Sequence, residues 1–313
     1  MKMTQQTSVY KNTEKEKNMN KRNNFVTEYN DNKERVLKRY IDKSDDIVVV
    51  DDGIVEIGEF AFLRCTAKEI ILPDSVRYIG ECAFASCKNL ERLVLGKGLK
   101  HCDSDIILGS PVQEIVWTKP FMTTPDSDFL SLLYGLIREE DAVYYPQPEK
   151  KYDVFKRFFN TGKPQRTFLL TCNGKSIRLP RYIGNYLHMD TILNIVCNCL
   201  TEEDDMYYKY RYLHECLYDF QNVLSVVTEW YVLERLKYAK NYLKKHATLI
   251  MKRMTQDADD ETLSLYINLG LLSDKDLQRA LQWASEKNMQ TSVAYILEQM
   301  RKKGLKNKIE MTL

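Results

Sequence analysis

The stretch Asp52-Gly-Ile-Val-Glu-Ile-Gly-Glu-Phe-Ala-Phe62, closing on Cys65, returns as Ser75-Val-Arg-Tyr-Ile-Gly-Glu-Cys-Ala-Phe84, closing on Cys87, at an offset of 22 residues. A worn third copy runs through Leu99, Ile115 and Trp117. One such unit cannot bury its apolar face alone, so a fixed period in the low twenties with one short strand per unit predicts coils stacked into a solenoid. Solenoids serve mainly to display a surface, which makes a binding module the expected use of this chain.

Aligned copies put Val48, Ile70, Leu93 and Ile115 in one column and Val50, Leu72, Leu95 and Trp117 in another. Val76 and Ile79 match Ile54 and Ile57 before them and Leu99 and Cys102 after them. These columns are the expected core, with Ala61, Phe62, Ala83 and Phe84 filling the far side of each coil. Gly58 and Gly80 fall where the backbone turns sharply or passes close to its neighbour, a place for a residue without a Cβ. One inserted residue near Asn89 moves the later offset to 23. In the third copy the Gly-Glu-x-Ala-Phe signature gives way to Asp103-Ser-Asp-Ile-Ile-Leu108, which predicts that the stack ends there. Two strand-like runs, Phe25–Tyr29 and Arg35–Ile41, flank an Asn/Asp turn and read as a hairpin capping the first coil.

The run Ile-Gly-Glu-x-Ala-Phe, then Cys, then Ile-x-Leu-Pro with Asp-Ser-Val after it, resembles the BspA-like bacterial leucine-rich repeat. Residues Ile57 to Cys65, Ile70 to Cys87 and Leu90 to Leu95 carry the resemblance, over roughly a quarter of the chain. It implies a leucine-rich-repeat fold and leaves function open. Many members of that family are secreted or surface proteins implicated in adhesion, so a surface adhesin is the alternative it brings.

The expected architecture is α+β: a disordered leader (1–24), a capped repeat domain (25–117), a mixed connector (118–200) and an all-α, helical-repeat-like domain (201–313). The leader is polar and rich in Asn and Lys. Within the connector, Asp128–Ile137 and Asp153–Phe159 read as helices, and Thr167–Cys172, Asn173-Gly174 and Ser176–Leu179 as a hairpin. Tyr186–Leu200 reads as a helix. Beyond Thr201, apolar spacings of three and four predict helices over Tyr207–Tyr218, Val223–Ala247 and Leu263–Leu269. A capped helix starting at Ser273 ends at Asn288, and another runs to Gly304.

Composition narrows the function classes. The chain has 313 residues, 44% hydrophobic and 29% charged, with a net charge of +2, whereas neutralising many phosphates asks for a marked basic excess. No stretch approaches the roughly 20 apolar residues that cross a bilayer. The leader shows Lys2, Lys11, Lys15, Lys17, Lys21 and Arg22 without an apolar core, so no secretory signal is read and the expected location is the cytoplasm. The eight cysteines then stay reduced, and Cys65 and Cys87 serve as compact buried side chains.

The strand positions that point away from the core carry the functional expectation. Val49, Ile71, Val94 and Val116 align into an apolar stripe, and contiguous apolar surface marks something that covers it. A strand-propensity effect, burial under residues 118–200, and a partner protein all remain open as its cause. Beside it Glu69, Arg92 and Glu114 alternate in sign and neutralise one another, which leaves little electrostatic steering. Those seven residues are the candidate partner-binding set.

His188, Cys197, Cys199, His214 and Cys216 invite a zinc site, but Cys-x-Cys and His-x-Cys straddle two faces of a helix, so no metal and no cofactor is expected. Tyr207-Tyr-Lys-Tyr-Arg-Tyr212 has the letters of a single-strand nucleic-acid platform, yet Glu202, Glu203, Asp204 and Asp205 precede it. The basic tail Arg301–Lys308 reads as a solvated end. No nucleophile elbow, phosphate loop or zinc-protease motif is present, so the reading is a non-enzymatic protein-binding module, not a small-molecule enzyme. The alternatives are an adhesin and a nucleic-acid-associated protein. Cell fractionation separates the protein-binding module from the adhesin: the expected protein stays in the cytosol, and recovery from the medium or the cell wall defeats that location.

Overall fold

A computed structural model of the chain describes residues 24–41, 44–119, 126–139, 151–172, 174–185, 188–201, 210 and 213–305. The leader up to residue 23, Asn173 of the hairpin turn, and most of the tyrosine run Tyr207–Tyr212 lie outside the described residues. The chain divides into two compact units. The first comprises 1–138, 168–177 and 189–202, and the second 139–167, 178–188 and 203–313. The stretch expected as a connector thus contributes to both.

The first unit is a β-solenoid with two sheets. Strands β1 (Phe25–Tyr29), β2 (Arg35–Tyr40), β4 (Ile54–Ile57), β6 (Tyr78–Ile79) and β8 (His101–Cys102) form one, in that order. The other runs from β3 (Ile47–Val49) through β5 (Glu69–Ile71), β7 (Arg92–Leu95) and β9 (Glu114–Trp117) to β10 (Thr167–Cys172) and β11 (Lys175–Pro180). Consecutive coils pair in parallel, with Val48 opposite Ile70, Ile70 opposite Leu93 and Leu93 opposite Ile115. All four side chains are buried, as are Val50, Leu72, Leu95 and Trp117. Each such side chain stabilises the fold by about 1.5–3 kcal/mol through loss of apolar surface to water. Because neighbouring coils share every column, no coil can be removed without exposing the next.

The capping hairpin forms, with β1 antiparallel to β2 and β2 parallel to β4. It carries the aromatic ladder of the repeats outward: Phe25 on Tyr40, Tyr40 on Phe62 and Phe62 on Phe84, with ring centroids 5.3, 5.4 and 5.3 Å apart. Gly80 sits where an added Cβ would lie 2.7 Å from the Glu59 nitrogen, so the close approach of coils, rather than a left-handed turn, requires it.

The third copy is a full coil, and the stack of coils closes just beyond it. Its corner repeats the backbone of the earlier ones: φ is positive at Phe60, Cys82 and Asp105, and again at Arg64, Ser86 and Gly109. Ser110 replaces the cysteine of the earlier copies, and its role shows what that column does. The Cys87 thiol donates to the Phe62 carbonyl at 3.0 Å, and the Ser110 hydroxyl donates to the Phe84 carbonyl at 2.6 Å while accepting from the Cys87 N–H at 2.8 Å. Cys87 is therefore more than a compact apolar filler: it ties one coil to the one before. Burial pushes the Cys87 thiol up to about 12, so it stays protonated and able to donate.

The far end is closed in two ways. The helix Ser127–Leu136 packs against β8, where the Ser131 hydroxyl takes the N–H of Cys102 at 2.9 Å and Gly135 accepts from the Ile106 N–H at 3.1 Å. In the other sheet the hairpin of β10 and β11 continues the stack, with Leu170 opposite Ile115 and Cys172 opposite Trp117 in parallel register. The helix Met189–Thr201 packs on Ser127–Leu136.

The second unit is mostly helical. Glu229 lies fully buried and accepts from the backbone N–H groups of Gln165 and Arg166 at 2.8 and 2.9 Å and from the Thr167 hydroxyl at 2.7 Å. Burial raises its pKa, and these three donors oppose the shift. The helix expected over Val223–Ala247 is two helices, Phe220–Glu234 and Lys237–Lys245, broken at Arg235. Arg235 takes a left-handed conformation (φ 55°) and its N–H donates to the Tyr231 carbonyl, a helix stop with no Gly or Pro to announce it.

The helix Ala247–Gln256 lies within the region expected to be helical, between the spans that the apolar spacing marks. It and Asp260–Asn268 form one pair, and Asp274–Glu286 and Gln290–Lys302 form a second. The pairs turn at left-handed Ala258 and Asn288, each ends at a positive-φ glycine, Gly270 or Gly304, and equivalent helices pack on one another. The helical-repeat expectation for this region is met by two stacked pairs, bound by the Asp260 carboxylate accepting from the N–H groups of Thr291 and Ser292 at 2.9 and 2.7 Å.

Ser110→Ala removes both the acceptor for the Cys87 N–H and the donor for the Phe84 carbonyl. It is expected to destabilise the solenoid by about 1–3 kcal/mol in urea denaturation of the full chain. An unchanged midpoint would show that the column contributes only packing.

Candidate protein-binding face

The candidate face is the outer side of the sheet from β3 to β10. In a strand, alternate residues point to opposite sides. Burial of Val48, Ile70, Leu93 and Ile115 therefore turns Val49, Ile71, Val94 and Val116 outward. The register places these four side by side, each opposite the next, along roughly 14 Å at the usual spacing between strands. Val49 is 53% exposed, and the other three are half-buried by their neighbours in the row. The row ends in polar residues: Thr171 lies opposite Val116, and its hydroxyl stands 2.8 Å from that of Ser176.

A second row runs parallel to it: Ile47, Glu69, Arg92, Glu114 and Leu169, each opposite the next. Arg92 bridges both carboxylates, through Nε to Glu114 at 2.9 Å and through Nη1 to Glu69 in a short contact. The Thr171 hydroxyl donates to the other oxygen of Glu114 at 3.4 Å. Partly exposed cross-strand pairs of this kind stabilise a sheet by about 0.2–1 kcal/mol each. The guanidinium is shared between two carboxylates, so the row has a net charge of −1 and a weak field.

The sequence singled out seven residues, and the register brings them into two adjacent rows. It missed Leu169, Thr171 and Ser176, which join the face from more than 50 residues further along the chain. No local periodicity links them to the repeats.

The other candidate groups fall elsewhere. Cys197 belongs to the first unit, whereas His188, His214 and Cys216 belong to the second, and the side chain of Cys199 lies outside the described residues. His188 stands against Tyr218. His214 lines a cavity of about 390 Å³ with Tyr238, Tyr242, Lys245 and His246, its ring centroid 4.6 Å from that of Tyr242, which lies 4.3 Å from that of His246. On the first unit Ser131, His101 and Asp103 line up, with Ser131 Oγ 3.1 Å from His101 Nδ1 and His101 Nε2 3.2 Å from Asp103. The string resembles a nucleophile triad, but the Ser131 hydroxyl is engaged by the backbone of Cys102, where it closes the exposed edge of β8.

With this geometry in place, comparison with family models finds a match over residues 46–132 to the BspA type Leucine rich repeat region, in six copies. The first unit carries a BspA-type leucine-rich repeat. The match reaches past Trp117 into the helix Ser127–Leu136, so the repeat region is longer than the two clear copies and one worn copy suggest. Comparison with curated proteins finds no match.

Among solved structures, the chain is similar to a leucine-rich repeat protein of T. pallidum at 24% identity, over 38% of this chain and 58% of that one, with a TM-score of 0.27. A leucine-rich repeat protein of Bacteroides capillosus matches at 22% identity over 31% of this chain and 86% of the other, with a TM-score of 0.27. A leucine rich cell surface protein of Faecalibacterium prausnitzii matches at 22% identity over 30% and 32%, with a TM-score of 0.25. The chain therefore spans little more than half of the T. pallidum protein and a third of the Faecalibacterium one. No described helix is long and apolar enough to cross a membrane.

Burial, then the neighbouring His246, lowers the His214 pKa; burial, then Lys245, lowers that of His246. A histidine whose folded pKa lies below its unfolded value near 6.5 binds protons more tightly when unfolded. Its neutral form supports the fold above that pH, and the support is lost as pH falls through about 6.5 toward the lowered folded value. The thermal midpoint of the second unit should drop as pH is lowered across this range, and His214→Phe should flatten the slope. An equal slope in the variant would assign the effect to other groups.

Proposed function

We infer that this chain is a non-enzymatic protein-binding module that uses the outer face of its longer solenoid sheet. The observation that supports this reading is the register. Four β-branched side chains that the buried columns force outward form one uninterrupted row, beside a second row whose charges largely, though not fully, offset one another. A face with little net field gains affinity from apolar burial rather than steering. Stable protein interfaces bury on the order of 800 Å² per partner, which a four-residue stripe cannot supply alone. The partner must then also cover the Ile47–Leu169 row and the Arg92 bridge within it.

Ile71→Asp combined with Val94→Asp tests the reading. Protein captured from a native lysate by the wild-type chain should be lost from the variant by a factor of ten or more, with thermal unfolding unchanged. Capture that survives both substitutions would reject the face. A variant that no longer folds would show that the stripe is part of the core.

A further inference from the structure

The two ends of the solenoid sheets are closed unequally. The β1–β2 hairpin lengthens the sheet that holds β4, β6 and β8, whereas the other sheet begins at β3 with no strand beyond it among the described residues. The Asp46 carbonyl accepts from the Glu69 N–H at 3.1 Å, and the Val50 N–H donates to the Ile71 carbonyl at 2.9 Å. Backbone groups in a strand face alternate edges, so the N–H and C=O of Ile47 and Val49 point away from β5, toward the open side. Their side chains are 50% and 53% exposed. An open, β-branched edge is a template for a further strand.

The residues around this edge say what kind of strand. The run reads Asp45-Asp46-Ile47-Val48-Val49-Val50-Asp51-Asp52, four apolar residues between two pairs of carboxylates. Asp46 has Lys68 at 3.0 Å in a largely solvated pair, Asp51 has Arg35 at 3.4 Å in a half-exposed one, and Asp45 accepts from the Tyr40 hydroxyl at 3.4 Å. Pairing β3 with β3 of a second copy sets aspartate against aspartate at both ends, whether the strands run parallel or antiparallel, and like charges directly opposite are destabilising. The same brackets favour a strand that carries Lys or Arg at both ends.

We propose that β3 is an acceptor edge: it takes an added strand from a partner protein, an extended segment of alternating apolar residues bracketed by Lys or Arg. Main-chain hydrogen bonds to Ile47 and Val49 give the attachment, and the flanking charges give the selectivity. This edge is a different surface from the apolar stripe, although Val49 borders both, and it does not require the stripe to take a partner.

The probe is a fluorescein-labelled peptide, Lys-Lys-Val-Thr-Val-Thr-Val-Lys-Lys, titrated with the full chain and read by fluorescence anisotropy. Saturable binding is expected, weakened roughly tenfold or more when Asp replaces every Lys or when alternate peptide amides are N-methylated. Val49→Pro removes an outward N–H while sparing the ladder to β5, and proline is tolerated on edge strands. It should weaken binding to a similar degree with an unchanged thermal midpoint. Asp45→Lys with Asp52→Lys should reverse the preference toward the Asp-flanked peptide. Val94→Asp, on the face and away from the edge, should leave peptide binding unchanged, which separates failure of the edge from failure of the face.

Absence of saturable binding, equal affinity for the Lys- and Asp-flanked peptides, or full binding by the N-methylated peptide would overturn the proposal. So would protection of the Ile47 and Val49 amides from hydrogen exchange in the free chain. Protection that depends on concentration would assign the edge to a second copy, and protection that does not would assign it to residues 1–23. The N-methylated peptide keeps the test decisive if Val49→Pro does not fold.

Discussion

Parallel stacking of coils in strict register is the constraint from which the rest of the first unit follows. Once Ile70 lies between Val48 and Leu93, and Leu93 before Ile115, the two-residue period of a strand leaves no freedom for the residues between them. Val49, Ile71, Val94 and Val116 must align outside because the buried columns align inside. The candidate face is thus a by-product of core packing. The same stacking puts the corners in line, so the left-handed residues recur and the Cys87 thiol and the Ser110 hydroxyl each reach a carbonyl of the coil before.

A stack of this kind has ends, and each end here is handled with different chemistry. At the start a hairpin lengthens one sheet and continues its aromatic ladder. At the finish a serine hydroxyl and a glycine carbonyl on one helix take the backbone groups that a further coil would have taken, while a hairpin lengthens the other sheet. β3 differs from all of these, with aspartates on both sides of a short β-branched run. Charges at an edge are a common means of discouraging copies of a protein from pairing. They also define which strand can still be received.

The second unit repeats the principle of stacking with helices. Two helix pairs lie on one another, turned at equivalent positions by left-handed Ala258 and Asn288, and two carboxylates link the pairs, Asp260 by accepting from the N–H groups of Thr291 and Ser292 and Asp276 by accepting from the Thr248 hydroxyl. Elsewhere in the unit Glu229 does comparable work from the middle of a buried helix, accepting from two backbone amides and a buried hydroxyl. Such a group is tolerable in the interior because its hydrogen bonds are complete.

Much of this was legible in the letters. The buried columns, the capping hairpin, the seven outward residues and the β10–β11 hairpin could be read because each depends on local period or turn chemistry. The third copy loses the Gly-Glu-x-Ala-Phe signature over residues 103–108, which hides that it is a full coil: Gly109 and Ser110 keep the backbone turn and the hydrogen bond of Ser86 and Cys87. The break at Arg235 had no glycine or proline to mark it, and the roughly 30-residue repeat of the helix pairs was hidden by low identity between them.

By itself, then, the sequence determined the stacking and the side of the sheet on which each repeat residue lies, since periodicity alone fixes both. Only the tertiary structure decided that Leu169, Thr171 and Ser176 complete the face, that Arg92 bridges two carboxylates, and that β3 begins its sheet uncovered. Those facts depend on pairing between segments far apart in the chain, and long-range pairing leaves no periodic trace in either partner.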